Sequence, residues 1–159
     1  MEQIFLKACA KLNLFLDITG KRSDGYHTIK SVMQSVDIFD RVKIAKADGI
    51  SVKCSESALD GESNLAYKAA ALFFEQTGIR GGAEIYIEKR IPMQAGMAGG
   101  SADAAAVLRG LNAIYEANLS EDELCAIGTR LGADVPFSLC GGTMLCEGIG
   151  ETLSSLPEL

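Results

Sequence analysis

The chain has 159 residues, 48% of them hydrophobic and 23% charged, which is typical of one globular domain with a sizeable core. Its formal net charge of −6 argues against general binding of nucleic acid. No apolar run approaches the roughly 20 residues of a membrane helix, and the first residues lack the basic-then-apolar order of a secretory signal, so we expect a cytoplasmic protein.

The cysteines and the single histidine limit the chemistry further. Five cysteines are an odd number and form no C-x-x-C pair, which argues against a zinc site or a thioredoxin-like centre. Scattered thiols with apolar neighbours are typical of a reducing compartment. Because His27 is the only histidine, a catalytic site built on several histidines is excluded.

The N-terminal third is predicted to be mostly β-strand. Residues 4–18 alternate between two faces, a period-two pattern that predicts one strand or two strands in succession. Residues 20–27, GKRSDGYH, predict a turn or loop from their Gly, Ser and Asp content. Strand-like runs follow at about 28–39, 41–46 and 50–54.

Helices and strands mix in the middle of the chain. Asn64 is suited to cap a helix that Gly78 can end. Residues 83–90, AEIYIEKR, predict a further strand. A second helix is predicted over about 101–117, directly after a glycine-rich loop.

The C-terminal third is predicted to contain a third helix, a loop and a last strand. Ser120, with Glu123 three residues later, forms a capping box, and this helix is expected to end near Gly132. We expect GADVPFSLCGG, residues 132–142, to be a loop, and GTMLCEG, residues 142–148, to be a strand. Strands and helices mix without the strict βαβα alternation of a doubly wound sheet, which argues against that architecture.

The sequence IPMQAGMAGGSADAAAVL, residues 91–108, joins the glycine-rich loop directly to a helix. A helix start leaves backbone N–H groups without partners and adds positive potential, so a phosphate fits there, and glycines let the backbone approach it. Ser101 can cap the helix or donate to a phosphate oxygen, while Asp103 in the first turn can complement the dipole or hold Mg²⁺ through a water. The loop matches neither G-x-x-x-x-G-K-[ST] nor G-x-G-x-x-G. The residues alone therefore leave a phosphate site and a tight packing turn both open.

Three segments resemble the GHMP kinases, the family of galactokinase, homoserine kinase and mevalonate kinase. PMQAGMAGGSADAAAVL, residues 92–108, resembles the phosphate-binding loop of that family. AKLNLFLDITGKRSDGYHTIKSVMQSVDIFDRVKI, residues 10–44, and LGADVPFSLCGGTMLCEGIGE, residues 131–151, resemble the branch that acts on a cytidine-diphosphate-linked methylerythritol in non-mevalonate isoprenoid synthesis. The resemblance covers essentially all 159 residues.

This resemblance implies a fold and an activity. The fold is an α+β domain in which a curved mixed sheet packs against helices, with residues 1–159 forming the N-terminal, ATP-binding domain and the family's C-terminal domain absent from this chain. The activity is transfer of the γ-phosphoryl group of ATP, with Mg²⁺, to a hydroxyl of 4-(cytidine 5'-diphospho)-2-C-methyl-D-erythritol. Apolar surface that normally meets the second domain can drive self-association into a homo-oligomer. Neither nucleic acid nor a membrane is expected as a partner.

The resemblance also implies roles for individual residues. Asp134 of the GADVP segment corresponds to the catalytic base, and Lys11 to the cation that keeps it ionised. Asn13 shares a strand face with Lys11, so we expect it to face the same cleft and to bind substrate. Tyr26 and His27 correspond to residues that bind cytosine. The implied ATP-binding loop comprises Pro92, Met93, Gln94, Ala95, Gly96, Met97, Ala98, Gly99, Gly100, Ser101, Ala102 and Asp103.

Plainer interpretations stay open beside these roles. Without the resemblance, Asp134 is a turn-forming loop residue, Lys11 a lysine at a strand edge and His27 a solvated loop histidine. Another GHMP kinase such as homoserine kinase shares the glycine loop but not a DGYH segment after an AKLNL strand. An inactive nucleotide-binding fragment is a further alternative. Gln94, Ala95 and Ala98 stand where the family loop often has glycine, and Ala102 stands where it often has a second serine. We expect these differences to weaken nucleotide binding at most, because backbone N–H groups make many of the contacts.

Overall fold

The computed structural model of the chain describes residues 2–93, 95–150 and 152–157. Within them the elements follow one another as β1 (Gln3–Lys21), β2 (His27–Ala47), β3 (Ile50–Cys54), a 3₁₀ turn (Ser57–Leu59), α1 (Leu65–Thr77), β4 (Gly82–Glu88), α2 (Gly99–Ile114), α3 (Glu121–Leu131), α4 (Val135–Cys140), β5 (Thr143–Gly148) and β6 (Thr152–Ser155). This mixture of strands and helices confirms the predicted α+β class. In the described ranges, no helix is both long enough and apolar enough to cross a membrane.

The six strands in the described part of the chain form one mixed sheet. Its order is β3-β4-β2-β5-β6, and β1 pairs with the remaining edge of β2. The β2 strand pairs antiparallel with β5 over residues 29–34 and with β4 over residues 41–47. β3 runs parallel to β4. The two halves of the sheet therefore have β2 in common.

The long strands differ from the prediction in their continuity. The alternating residues 4–18 all lie in one strand, β1. The two runs predicted at 28–39 and 41–46 are joined in one long strand, β2. Three register shifts interrupt the pairing of β1 with β2, one of them between Cys9 and Lys11. Such bulges absorb an irregularity without ending the ladder, which a sequence pattern cannot distinguish from a break.

The alanine-rich helix α2 lies at the centre of the core. Every residue from Ala102 to Leu108 is buried, because the helix packs against β1 and β2 and is also in contact with the other three helices. A Cβ on Gly110 would overlap the side chain of Ile44 and lie 2.9 Å from Leu6 Cδ1. Glycine at this position therefore allows α2 to approach the sheet closely.

Two predicted helix starts are confirmed. The Asn64 side chain accepts a hydrogen bond from the Ala66 N–H at 2.8 Å, and Gly78 ends α1 with φ 69°. The capping box of Ser120 and Glu123 is formed in both directions at the start of α3. The first turn of α3 is acidic, which complements the helix dipole and accounts for part of the negative charge of this region.

The expected loop over residues 132–142 is wrong, because it contains the helix α4. Pro136 lies at the start of that helix, where its missing N–H costs no hydrogen bond. Val135, Phe137 and Leu139 are buried in α4 and supply the packing that stabilises so short a helix. The strand predicted after it is confirmed as β5. The prediction that this strand is the last one is wrong, because β6 follows it and pairs with it.

Candidate functional site

A buried cluster of three charged side chains lies beneath the glycine-rich loop. Lys89, just after β4, donates through Nζ to Asp40 Oδ2 at 2.6 Å and to Asp103 Oδ2 at 2.8 Å. Asp40 Oδ1 also accepts from the backbone N–H groups of Arg90 and Ile91, at 2.6 and 2.9 Å. These charge-assisted bonds fix the chain where it leaves β4 and enters the loop.

The two carboxyl groups of this cluster share one ammonium group and differ in pKa. The pKa of Asp103 is raised to about 8, mainly by burial and then by its hydrogen bond with Asp40. Burial opposes ionisation of Asp40 as well, but hydrogen bonds from Asp103, the Ile91 N–H and Lys89 lower its pKa. Near neutral pH the cluster therefore contains an ionised Asp40 and a protonated Asp103.

The glycine-rich loop leads into a helix start that no side chain caps in the part of the chain that the structure describes. The N-cap residue of α2 is Ala98, which has φ 56°, and the helix begins at Gly99, two residues before the predicted start. Ser101 therefore does not cap α2, which corrects one of its two predicted roles. Among the described residues, no side chain accepts a hydrogen bond from the first N–H groups of α2, so these groups can bind an anionic group.

A cavity of about 430 Å³ opens between this loop, the start of α1 and the charged cluster. Its lining includes Leu59, Ser63, Asn64, Leu65, Lys89, Ile91, Pro92, Met93, Ala95, Gly96, Met97, Ala98, Gly99, Gly100 and Asp103. Within the described residues Asp103 Oδ1 is buried and has no hydrogen-bond partner. The volume suits a small molecule, and the orphaned oxygen is a polar group that such a molecule could satisfy.

Lys11 and Asp134 approach the loop from two sides. The Lys11 N–H donates to the Met97 carbonyl at 3.1 Å and links β1 to the loop, and Lys11 as a whole residue is only 7% exposed. Asp134 is the N-cap residue of α4. Two residues before it, a Cβ on Gly132 would lie 3.9 Å from Ser101 Oγ at the start of α2. The GADVP segment thus borders the same helix start.

The thiol of Cys146 in β5 lies within electrostatic reach of both groups. Its pKa is raised to about 11 by burial and then by Asp134, whereas Lys11 lowers it. Over the described ranges of the chain, neither Lys11 nor Asp134 takes part in an ion pair. Among the described residues, neither side chain is therefore committed to an opposite charge of the protein itself.

The other predicted substrate residues lie along the two-stranded ribbon of β1 and β2. Asn13 is exposed and only two residues from Lys11. Tyr26 lies in the connecting turn with 63% of its surface exposed, and His27 is the exposed first residue of β2. His27 pairs with Lys21 of β1. Lys21 is ten residues from Lys11, a separation of roughly 30 Å along an extended strand. The structure thus brings Asn13 close to Lys11, whereas the ribbon extends well beyond it to reach Tyr26 and His27.

Metal binding by this chain alone finds little support in the side chains. Across the described residues, no group of three or more His, Cys, Asp or Glu side chains could hold a metal ion. Asp103 lies beyond the first turn of α2, not within it as predicted, and its Oδ2 is engaged by Lys89. A Mg²⁺ ion at Asp103 would therefore compete with a buried ammonium group.

The charged cluster was missed by sequence analysis. Asp40 and Lys89 are 49 residues apart, so no motif spacing connects them. The available signals were an aspartate inside an apolar strand run and a lysine directly before the glycine-rich loop. Gln94, which was predicted to belong to the loop, lies outside the described residues.

Comparison with known proteins places these features in a family. Residues 64–142 match the GHMP kinases N terminal domain. The chain is 54% identical over 160 residues to 4-diphosphocytidyl-2-C-methyl-D-erythritol kinase of Acetivibrio thermocellus, covering 99% of the chain and 56% of that protein. It is 50% identical to the enzyme of the same name from Clostridioides difficile, covering 100% of the chain and 55% of that protein. The chain thus spans little more than half the length of the curated relatives it matches.

Solved structures give the same grouping. A crystal structure of 4-(cytidine 5'-diphospho)-2C-methyl-D-erythritol kinase matches 96% of the chain with a TM-score of 0.84 and 40% identity, over 55% of that protein's chain. Mevalonate kinase of Methanococcus jannaschii matches 98% of the chain with a TM-score of 0.76 at 13% identity, over 56% of its own chain. At that identity the second match supports the fold alone.

Proposed function

Because this chain belongs to the GHMP kinase family, we propose that it supplies the ATP-binding part of a kinase for 4-(cytidine 5'-diphospho)-2-C-methyl-D-erythritol. The reaction transfers the γ-phosphoryl group of ATP to a hydroxyl of that substrate. One observation carries the proposal: the uncapped start of α2 meets a cavity, a buried lysine and the turn of Asp134. Phosphoryl transfer needs positioning and charge stabilisation, and this arrangement offers both.

ATP fits the glycine-rich loop and the cavity beside it. Its phosphates would accept hydrogen bonds from the N–H groups at the start of α2, where the helix dipole also favours negative charge. Ser101 lies in that first turn and could donate its hydroxyl hydrogen to a phosphate oxygen. The rest of the nucleotide would occupy the cavity, where the protonated carboxyl of Asp103 offers its unpaired oxygen. The predicted loop residues from Pro92 to Asp103 are thus proposed as the ATP site.

Mg²⁺ would arrive with the triphosphate as part of the substrate. Ser101 and Asp134 are the oxygen-bearing side chains near the start of α2 that could complete its coordination shell. When bound, the ion would neutralise charge on the phosphate oxygens.

Asp134 is proposed as the general base and Lys11 as the cation beside the reacting oxygens. An ionised Asp134 would accept the proton of the attacking hydroxyl. Lys11 would stabilise negative charge on the transferring group, and its burial strengthens that interaction because the local dielectric is low. The absence of a competing ion pair among the described residues fits both roles.

The cytidine end of the substrate is proposed to bind along the β1–β2 ribbon. Tyr26 would stack on cytosine, His27 would hydrogen-bond its edge, and Asn13 would contact the part of the substrate nearer Lys11. The ribbon has three register shifts, and bulges of this kind bend a strand and increase its twist. Such bending would shorten the distance that one elongated substrate has to bridge.

The choice of substrate rests on the relatives, because the fold is common to kinases with other substrates. A homoserine kinase of Cytophaga hutchinsonii matches 99% of the chain with a TM-score of 0.72, but only 19% of the residues are identical. The relatives that are 50–54% identical over the aligned residues are named for the cytidine-linked substrate. Residues 1–159 would then form the N-terminal domain of the kinase, and a C-terminal domain would complete its substrate cleft.

Binding can be tested by NMR titration of the labelled chain with Mg-ADP and then with cytidine diphosphate. Mg-ADP should shift the amide signals around the loop of residues 95–103, and cytidine diphosphate those of Tyr26 and His27. Gly99→Val should abolish the first response, since a Cβ there already lies 3.3 Å from both Lys89 Nζ and Ile91 Cγ2. Gly49→Val, in a turn where a Cβ meets nothing within 4 Å, is the matched control. Retained Mg-ADP binding by a folded Gly99→Val chain would make the loop a packing turn.

Turnover is tested by phosphoryl transfer from ATP to the cytidine-linked substrate, with homoserine as the competing acceptor. In an enzyme that contains this domain, Lys11→Met and Asp134→Asn should each lower kcat by several orders of magnitude, on the order of 10² to 10⁴. The exposed side chains of Lys53 and Asp48 provide the matched controls Lys53→Met and Asp48→Asn. Transfer to homoserine alone would replace the proposed substrate, and an unaffected Asp134→Asn enzyme would remove the base.

A further inference from the structure

Two cysteine side chains meet at the junction of α3 and α4. The Sγ atoms of Cys125 in α3 and Cys140 at the end of α4 are 3.9 Å apart. Cys140 Sγ also donates to Glu121 Oε1 at 3.6 Å. Both thiols are free and partly exposed to solvent, whereas Cys54 and Cys146 are buried. The phosphoryl transfer proposed above uses neither thiol.

The close packing of α3 on α4 explains why these two thiols meet. A Cβ on Gly128 would lie 2.8 Å from Val135 Cγ1 and 3.1 Å from Leu139 Cδ1, so only glycine allows this approach. Cys125 lies three residues before Gly128 on α3, which is one turn along the same helix face. The segment between the two thiols is short and folds back as two packed helices.

We propose that Cys125 and Cys140 are a redox modification site, where a disulfide forms between α3 and α4 under oxidising conditions. The sulfur atoms need to approach by only about 2 Å to reach the bonding distance of about 2.05 Å. Gly141 and Gly142 follow Cys140 with φ 68° and 75°. Two glycines directly after Cys140 let the chain adjust there when the end of α4 moves.

The oxidant is a low-molecular-weight disulfide, and the exchange balances without any other reactant. The proton of Cys140 passes to the Glu121 carboxylate, and the thiolate sulfur attacks one sulfur of the small disulfide. A mixed disulfide forms on Cys140, and the small thiolate that leaves takes the proton from Glu121. Cys125 then loses its proton to solvent, and its thiolate attacks the Cys140 sulfur and displaces the second small thiolate, which takes up a proton from solvent. Two protein thiols are oxidised to one disulfide, and the small disulfide is reduced to two thiols.

The surroundings of the pair keep it reduced until such an oxidant accumulates. The pKa of Cys140 is raised to about 12 by burial and then by Cys125 and Glu121, and burial also raises the pKa of Cys125. A raised thiol pKa leaves little thiolate near neutral pH, so these thiols react slowly with oxidants at low concentration. Direct contact between the two sulfur atoms favours the second, intramolecular step once a mixed disulfide has formed.

The crosslink would also act on the proposed site, and this consequence rests on the proposed function. Asp134, the proposed base, lies within the segment that the disulfide closes, at the other end of the short helix α4 from Cys140. Movement of one end of so short a helix by about 2 Å displaces the other end as well. A misplacement of about 1 Å at a reacting group can cost 10²-fold in rate. We therefore expect the oxidised protein to transfer phosphate at least tenfold more slowly, with recovery after reduction.

The crosslink is tested by incubating the folded chain with oxidised glutathione, then denaturing it, alkylating the free thiols and mapping the peptides by mass spectrometry. We expect the peptides of Cys125 and Cys140 to be joined, while Cys54 and Cys146 are alkylated. Cys125→Ser should abolish the crosslink and leave glutathione on Cys140, whereas Cys9→Ser, a change at the remaining partly exposed thiol, should retain it. Alkylated Cys125 and Cys140 in oxidised wild type, or crosslinking to other cysteines, would overturn the proposal.

The effect of the disulfide on activity is tested with the kinase assay. The oxidised wild-type protein is compared with Cys125→Ser that has been treated in the same way. A slower rate in wild type alone, restored by dithiothreitol, supports the control of activity. An unchanged rate in fully crosslinked protein would refute that control. Absence of transfer even by a reduced enzyme that contains this domain together with the C-terminal domain would count against the proposed function only, because the peptide map detects the disulfide without any activity.

Discussion

Replacement of Asp103 by asparagine should change how the stability of the protein depends on pH. Asp103 is 1% exposed, and among the described residues its Oδ1 has no hydrogen-bond partner. Its Oδ2 accepts a hydrogen bond from Lys89, which also donates to Asp40. Its pKa is raised from 3.8 to about 8 in the folded protein, mainly by burial. Between these values the folded protein holds a proton that the unfolded chain has lost, so the free energy of unfolding falls as pH rises.

The magnitude follows from this difference in proton binding. One proton corresponds to about 1.4 kcal/mol per pH unit well below the folded pKa, and to about half of that at the pKa itself. Between pH 6 and pH 8 the wild-type protein should therefore lose about 2 kcal/mol from this group. The substituted asparagine would have no proton to release but could still bond to Lys89, so Asp103→Asn should match wild type near pH 6 and exceed it by about 2 kcal/mol at pH 8.

Urea denaturation at several pH values between 6 and 8 measures this difference directly. The exposed Asp48, in the turn between β2 and β3, offers a control with the same chemical change, and Asp48→Asn should keep the wild-type pH dependence. Parallel curves for Asp103→Asn and wild type over this range would show that Asp103 is ionised in the folded protein. The assigned protonation of the buried cluster would then be refuted.

Three further predictions address packing, capping and binding. Gly110→Ala should lower the free energy of unfolding by about 1–3 kcal/mol, because its Cβ would overlap Ile44, whereas Gly100→Ala, which meets nothing within 4 Å, should change it little in urea denaturation. Ser120→Ala removes half of a capping box and should cost about 1 kcal/mol, seen as a lower Tm; an unchanged Tm would mean that water replaces the cap. His27→Ala should raise KM for the cytidine-linked substrate and leave KM for ATP nearly unchanged, and equal effects on both would remove His27 from the cytosine site.

The fold was predictable from sequence where local signals act alone. Alternation of residues between two faces predicted β1, and capping residues predicted the starts of α1 and α3. These features depend only on residues close together in the sequence. The helix α4 was missed because Pro136 and the surrounding glycines are typical of a loop, and the burial that stabilises it is a property of the folded protein. The start of α2 was misplaced because Ala98 adopts φ 56°, a conformation that its side chain does not favour.

The candidate site was predictable to a similar extent. The loop and the GADVP segment were found through their resemblance to a family, and the structure brings them to the same helix start as Lys11. The roles of these residues stay predictions. The cluster of Asp40, Lys89 and Asp103 was not predictable, because its members come from a strand, the end of another strand and a helix that only the tertiary fold brings together.

The position of β2 also bears on how the domain loses structure. This strand is hydrogen-bonded to β1 along nearly its whole length, to β5 near its start and to β4 near its end. Local opening could release β5 and β6 while the ladder of β2 with β4 stays closed, or the reverse. Amide hydrogen exchange would then divide the sheet into two cooperative units, with the slowest amides on β2. The Asp134 side and the glycine-loop side of the candidate site would thus fluctuate separately in the absence of a ligand, and a ligand that spans both would couple them.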